Sequence, residues 1–201
     1  MISILYDTER CLDGLKLVDG FFRPLSERRE PVHVVTADLD DPVVLQFVNA
    51  RDEDALVQFM SKYSAGNLYT WEDPPQTRVS HTLGATKLAD MRDYLRRKLA
   101  SAGSSDQVEA LVALSEPRIE TKATFHLRDG KAQMLLRCHH LLDFMRMEVA
   151  TIAVEGAKLV TCGYCGNYFA TGPATSRRTD AQYCSDKCRV AAMRARKKGS
   201  E

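Results

Sequence analysis

The chain has 201 residues, 44% of them hydrophobic, enough for one medium domain with a real core and one small one, and no apolar run approaches the length of a membrane span. Its net charge of +1 conceals an asymmetry: residues 161–201 hold eight Lys/Arg against three Asp/Glu, while the remainder holds 20 against 24, so only the C-terminal end suits a polyanion. Ile2 to Tyr6 is too short an apolar run before Asp7 to serve as a secretory leader, which implies a reducing cytoplasm and argues against a disulfide framework for the six cysteines.

In chain order, the first thirty residues mix apolar and charged positions without firm periodicity. The charged run Ser26-Glu27-Arg28-Arg29-Glu30 before Pro31 reads as a boundary or loop. Val32 to Leu39 alternates loosely and is rich in valine, which predicts a strand, with Asp38, Asp40 and Asp41 in a solvated turn before Pro42. Asp52, Glu53 and Asp54 suit the positive end of a helix whose apolar stripe is Leu56, Phe59, Met60 and Tyr63, and Gly66 stops it. Asn67 to Pro75, with Trp71, reads as a loop whose tryptophan packs over a helix.

From Gly84 a second helix turns Leu88, Met91, Leu95 and Leu99 inward and Arg92, Arg96, Arg97 and Lys98 outward as a solvated face. Asp106 to Leu114 predicts a shorter amphipathic helix. Ile119, Thr121, Ala123, Phe125 and Leu127 alternate with polar residues as a half-buried strand, and Asp129-Gly130 turns the chain back along Lys131 to Arg137. Cys138-His139-His140 reads as the polar start of a helix and not as a second metal site, because no further ligand pair lies near it. That helix carries Leu141, Leu142, Met145, Val149 and Ile152, ends at Gly156, and delivers the chain to Cys162. Cys11 and Cys138 read as small buried hydrophobes. No internal repeat or low-complexity tract occurs.

The last forty residues carry the chemistry. Cys162 and Cys165, then Cys184 and Cys188, form two close pairs whose thiolates suit a closed tetrahedral site. Zinc is the expected occupant, with a disulfide pair, four unrelated buried cysteines and iron–sulfur ligation as the alternatives. Gly163 and Gly166 let the backbone aim amide N–H groups at the sulfurs, and Ser185 is placed to cap a helix carrying Cys188 in its first turn. A knuckle, connecting strands and a ligand-bearing helix describe a treble-clef-like finger.

This text, Cys162-Gly163-Tyr164-Cys165-Gly166-Asn167-Tyr168-Phe169 and then Gln182-Tyr183-Cys184-Ser185-Asp186-Lys187-Cys188-Arg189 with Arg194, Arg196, Lys197 and Lys198 beyond, resembles the CGNR-type zinc finger of bacterial proteins. There the finger follows an α/β domain called ABATE, and the resemblance implies transcription regulation through DNA. It is specific over about forty residues and architectural before them. Arg189-Val190-Ala191 stands where the family motif has Gly-Asn-Arg, so no contact of that asparagine carries over. The expected fold is accordingly α+β (mixed α/β) over residues 1–158, ABATE-like, with the zinc finger over 159–201.

A helix from Asp186 places Lys187, Arg194 and Lys198 within about 40° of each other, with Arg189 and Arg196 on nearly the opposite side. One stripe suits phosphates, and the other is free to pair with the thiolates or Asp180. Arg177, Arg178, Lys187, Arg189, Arg194, Arg196, Lys197 and Lys198 are the candidate nucleic-acid contacts, with DNA as the expected polymer and a homodimer or an acidic protein as further partners. Tyr164, Tyr168 and Phe169 are expected to serve the finger's own core rather than stack on bases. A protein-interaction module with a purely structural zinc is the alternative function. An enzyme is not expected, since the chain lacks a paired nucleophile, a phosphate loop and an open metal site.

Overall fold

In the computed structural model, which describes residues 3–36, 39–63, 85–102, 119, 121–128 and 131–198, a mixed four-stranded sheet is built around a strand at the very start of the chain. β1 (Ser3–Cys11) opens with Ile4, Leu5 and Tyr6, three consecutive buried residues. A strand covered on both faces loses the alternation that marks a half-buried one, which is why the sequence pattern missed it. β2 (Leu15–Val18) and β3 (Phe21–Pro24) follow as an antiparallel hairpin. Its turn residues Asp19 and Gly20 both take positive φ, 54° and 78°, as a two-residue hairpin turn of the primed type requires.

The charged run is a loop over Ser26, Glu27 and Arg28 only. Arg29 and Glu30 begin β4 (Arg29–Thr36), which pairs antiparallel with β1, so the strand expected at Val32 to Leu39 starts three residues earlier and ends at Thr36. The charges are used within the pair: Arg10 bridges to Glu30, and the Arg29 guanidinium donates to the Cys11 sulfur at 2.6 Å. Pro31 is tolerated because β4 is an edge strand among the described residues, where a missing N–H need not break a ladder. On the other side of β1 lies β6 (Lys131–Cys138), parallel to it, and beyond that β5 (Thr121–Arg128), antiparallel to β6, giving the order β4-β1-β6-β5. The expected β5–β6 pairing is therefore present. Its expected buried face is not: Thr121 and Ala123 are exposed and Phe125 is 75% exposed, because the described helices that pack on the sheet lie over β1 and β6.

Among the described residues, four helices build the core with this sheet. α2 (Glu53–Tyr63) buries Leu56, Phe59, Met60 and Tyr63 as its periodicity predicts, and Asp52 caps it by accepting the Ala55 N–H at 2.8 Å. α3 (Ala85–Ala102) buries Leu88, Met91, Leu95 and Leu99, and α4 (Leu141–Val154) starts from His140 as its N-cap and buries Leu141, Leu142, Met145, Val149 and Ile152. Cys11 and Cys138 lie in the core with them. The Trp71 loop, the Asp106 to Leu114 helix, Asp38 and the Asp129-Gly130 turn lie outside the described residues.

The element that binds these layers is α1 (Val43–Asn49), a seven-residue helix whose Val43, Val44, Leu45, Phe47 and Val48 are all buried. Seven residues long, with only Gln46 and Asn49 polar, it is too short to show an amphipathic period in sequence. Both ends are served from elsewhere in the chain. The buried carboxylate of Glu148 on α4 accepts the Val43 N–H at 3.0 Å, the Val44 N–H at 2.7 Å and the Thr36 hydroxyl. At the other end Arg92 donates to the Ala50 carbonyl at 2.7 Å and Arg96 to the Val48 carbonyl at 2.8 Å. These two arginines are thus not part of a solvated face, since their positive charge closes the negative end of α1.

Burial raises the Glu148 carboxyl from 4.5 to about 7, against the lowering pull of Thr36 and the two amides. A carboxyl that holds its proton more tightly folded than unfolded stabilises the fold at acid pH, and loses that contribution as pH rises from about 4.5 through about 7. The shift corresponds to roughly 3 kcal/mol. In urea unfolding between pH 5 and pH 8, the stability advantage of the wild type over Glu148→Gln is expected to shrink by most of that amount as pH rises. An advantage that stays constant would show that Glu148 is ionised throughout.

Candidate metal centre

β7 (Lys158–Thr161) and β8 (Tyr168–Thr171) pair antiparallel, and the turn between them presents Cys162 and Cys165. The turn is tight: the Cys162 N–H donates to the Asn167 carbonyl at 2.8 Å and the Gly166 N–H to the Cys162 carbonyl at 3.0 Å. Gly166 sits at φ 71°, where a side chain would be strained and a Cβ would meet the Arg51 guanidinium at 3.0 Å. Gly163 plays another part. Its N–H donates to the Gln182 carbonyl at 3.0 Å and so ties the knuckle to the segment that brings in the second cysteine pair.

That segment ends in Ser185, whose hydroxyl oxygen accepts the Cys188 N–H at 3.3 Å and caps α5 (Asp186–Lys198). Cys188 therefore stands in the first helical turn, as the spacing predicts. The four sulfurs lie within 4.8 Å of one another, with Cys165 and Cys184 at 3.7 Å and Cys184 and Cys188 at 3.5 Å. Four thiolates at about 2.3 Å from a central ion, arranged tetrahedrally, stand about 3.8 Å apart. The cluster thus has the size and the donor set of a closed four-thiolate site that can hold a metal ion.

Its electrostatics also call for a cation. Burial pushes the Cys184 thiol up to about 12, helped by the sulfurs around it, and Cys165 is raised for the same first reason. At Cys162 burial is outweighed by the N–H groups of Cys165, Cys184 and Tyr164, which bring it down to about 6. Left alone, four crowded thiols cannot all ionise, whereas a divalent ion among them offsets the mutual repulsion.

The finger is bound into the body of the protein. Asn49, the last residue of α1, donates to the Tyr168 carbonyl and accepts the Tyr168 N–H, both at 2.8 Å, reproducing a strand pairing with its side chain. Arg51 donates to the Gly166 carbonyl, and Leu39 N–H to the Ala174 carbonyl at 3.1 Å. Asp40, expected in a solvated turn, instead accepts the Ser176 N–H at 2.6 Å and hydroxyl at 3.0 Å. Ala170 belongs to the main core, Phe169 is buried and Tyr168 packs against that core, while Tyr164 on the knuckle is exposed.

The candidate nucleic-acid residues are distributed unequally. Arg177 is used internally: it donates to the Asp40 carbonyl at 2.7 Å and the Cys184 carbonyl at 3.3 Å, and lies over the Phe169 ring. Arg178, Lys187, Arg189, Arg194, Arg196 and Lys197 are exposed, and Lys198 ends α5. The second stripe pairs locally, Arg189 with Asp186 at 2.9 Å and Arg196 with the Tyr183 hydroxyl at 3.1 Å, rather than with Asp180 or the thiolates. Asn49 and Asp40 were not foreseeable as site residues, since nothing in sequence places them within reach of positions more than a hundred residues away.

No protein-family model and no curated protein sequence matches this chain.

Elemental analysis of purified protein is expected to find one divalent metal ion per chain, and Cys188→Ser to lose it. Asn49→Ala is expected to retain the metal while lowering stability by about 1–3 kcal/mol in urea, because both backbone groups of Tyr168 lose their partner; an unchanged midpoint would show that the finger stands without α1.

Proposed function

We propose that the chain is a cytoplasmic zinc-stapled DNA-binding protein of the transcription-regulating kind, in which zinc fills the four-cysteine site and α5 carries the nucleic-acid surface. Zinc suits a closed set of four thiolates, offers no redox chemistry and leaves no coordination position for a substrate, so its role here is structural. It fixes the start of α5 through Cys188 and the knuckle through Cys162 and Cys165. The resemblance of the cysteine text to CGNR-type fingers supports the same reading.

The observation that carries the proposal is the placement of charge. Lys187, Arg189, Arg194, Arg196 and Lys197 are all exposed on one thirteen-residue helix whose first turn is tied to the metal site, in a chain whose other part is mildly acidic. A rigid cationic rod on an acidic body meets phosphates in one orientation only. Neutralising about five phosphates releases their counterions, so affinity should fall with salt with a log–log slope of about −4 to −5.

Titration of zinc-loaded protein against duplex DNA at several salt concentrations tests this. Lys187→Ala/Arg194→Ala/Lys197→Ala is expected to halve the slope roughly, with zinc content unchanged, and chelation is expected to abolish binding. Salt-insensitive binding, or capture of an acidic protein that survives nuclease while DNA fails to bind, would replace this reading with that of a protein-interaction module.

A further inference from the structure

The circumference of α5 divides into three zones. Its inner side carries Cys188 and the buried Ala192, so the side chains that seat the helix are accounted for. About 150° away, within roughly 60° of each other at 100° per residue, project Val190, Met193 and Lys197. Val190 is 40% exposed and Met193 55% exposed, two apolar side chains open to solvent on a helix otherwise rich in charge. Lys187 and Arg194 stand about 80° to one side of that crest and Arg189 and Arg196 about 80° to the other.

We infer that α5 reads duplex DNA from the major groove, with Val190 and Met193 on the 5-methyl groups of thymine; this rests on the DNA-binding reading above and specifies what the helix recognises. A helix about 10–12 Å across fits a groove about 12 Å wide, and its two walls are rows of phosphates. An apolar crest between two cationic flanks matches that section: cations meet both walls while the crest meets the floor. The thymine methyl is the apolar feature that the floor presents, and neither Val190 nor Met193 has a hydrogen-bonding group with which to read a base edge otherwise. The unbranched Met193 adapts to a methyl on either of two neighbouring steps. Duplex RNA does not fit, since its major groove is too deep and narrow for a helix. Asp186 lies on the same crest one turn earlier, paired with Arg189, and so limits base contact to the stretch from Val190 onward.

The experiment compares zinc-loaded full-length protein on an alternating dA-dT duplex and on the same duplex with deoxyuridine replacing every thymidine, which deletes the methyl and leaves base pairing intact. Wild type is expected to bind the uracil duplex about fivefold to tenfold more weakly, the effect of two methyl groups left in water. Val190→Ala/Met193→Ala is expected to bind both duplexes equally, with unchanged zinc content and salt slope. An alternating dG-dC duplex should in turn gain affinity for wild type when its cytosines carry a 5-methyl group. Salt-dependent binding by wild type without discrimination between the thymine and uracil duplexes would overturn the inference and leave the DNA-binding reading standing. Discrimination that survives in the double variant would overturn it as well. Failure to bind either duplex at low salt would remove the DNA-binding reading, and the inference with it.

Discussion

The arrangement depends on a seven-residue helix that cannot satisfy its own ends. A helix of this length leaves a large share of its backbone N–H and C=O groups without intrahelical partners, and α1 is largely buried, so water does not complete them. Pro42 precedes it and offers no capping side chain. The deficit is made good from two directions: at the N-terminus by Glu148 on α4, itself held by the Thr36 hydroxyl at the end of β4, and at the C-terminus by Arg92 and Arg96 on α3. Glu148, Arg92 and Arg96 are each expensive to bury alone, and the contacts that complete α1 offset part of that cost. The sheet, α3 and α4 are thereby locked around one short element.

That lock extends to the metal centre. Asn49 closes α1 and pairs with Tyr168 on β8, the strand that leaves the knuckle, while Asp40, just ahead of α1, takes Ser176 and Arg177 from the loop that leads to the second cysteine pair. A forty-residue finger buries too little apolar surface to hold a conformation unaided, and the usual remedy is metal. Here the body shares that task with the four-cysteine cluster, which can hold a metal ion. The thiolates set the relation between knuckle and α5, and the α1 segment sets the relation between finger and sheet. The outcome is that α5 projects its exposed cations from a segment hydrogen-bonded to the body at several points.

Charge on α5 is likewise organised by structure rather than by composition. Eight cations in residues 161–201 suggest one polyanion-binding face, yet Arg177 faces inward under Asp40 and above Phe169, and Arg189 and Arg196 are steadied by Asp186 and Tyr183. The exposed ion pair of Arg189 contributes little to stability and yields readily to a phosphate. Two flanks and an apolar crest are left, a division that a count of basic residues does not reveal.

By itself, the sequence determined those features whose physics is local. Two cysteine pairs at close spacing define a four-thiolate site wherever the chain places them; Ser185 caps the helix that follows it; the stripes Leu56-Phe59-Met60-Tyr63 and Leu88-Met91-Leu95-Leu99 bury as a 3.6-residue period requires; and the two strands read on either side of residue 130 pair as β5 and β6. What lay beyond it were elements with no period to detect, such as β1, whose Ile4, Leu5 and Tyr6 are buried on both faces, and α1, whose seven residues are too few to show one. Beyond it too were roles created by neighbours distant in the chain. Only the tertiary structure decided that Arg92 and Arg96 complete a helix instead of facing water, that Asp40 and Asn49 anchor the finger, and that Val190 and Met193 are left exposed, because each depends on where α1 and the metal site lie and not on the residues beside it.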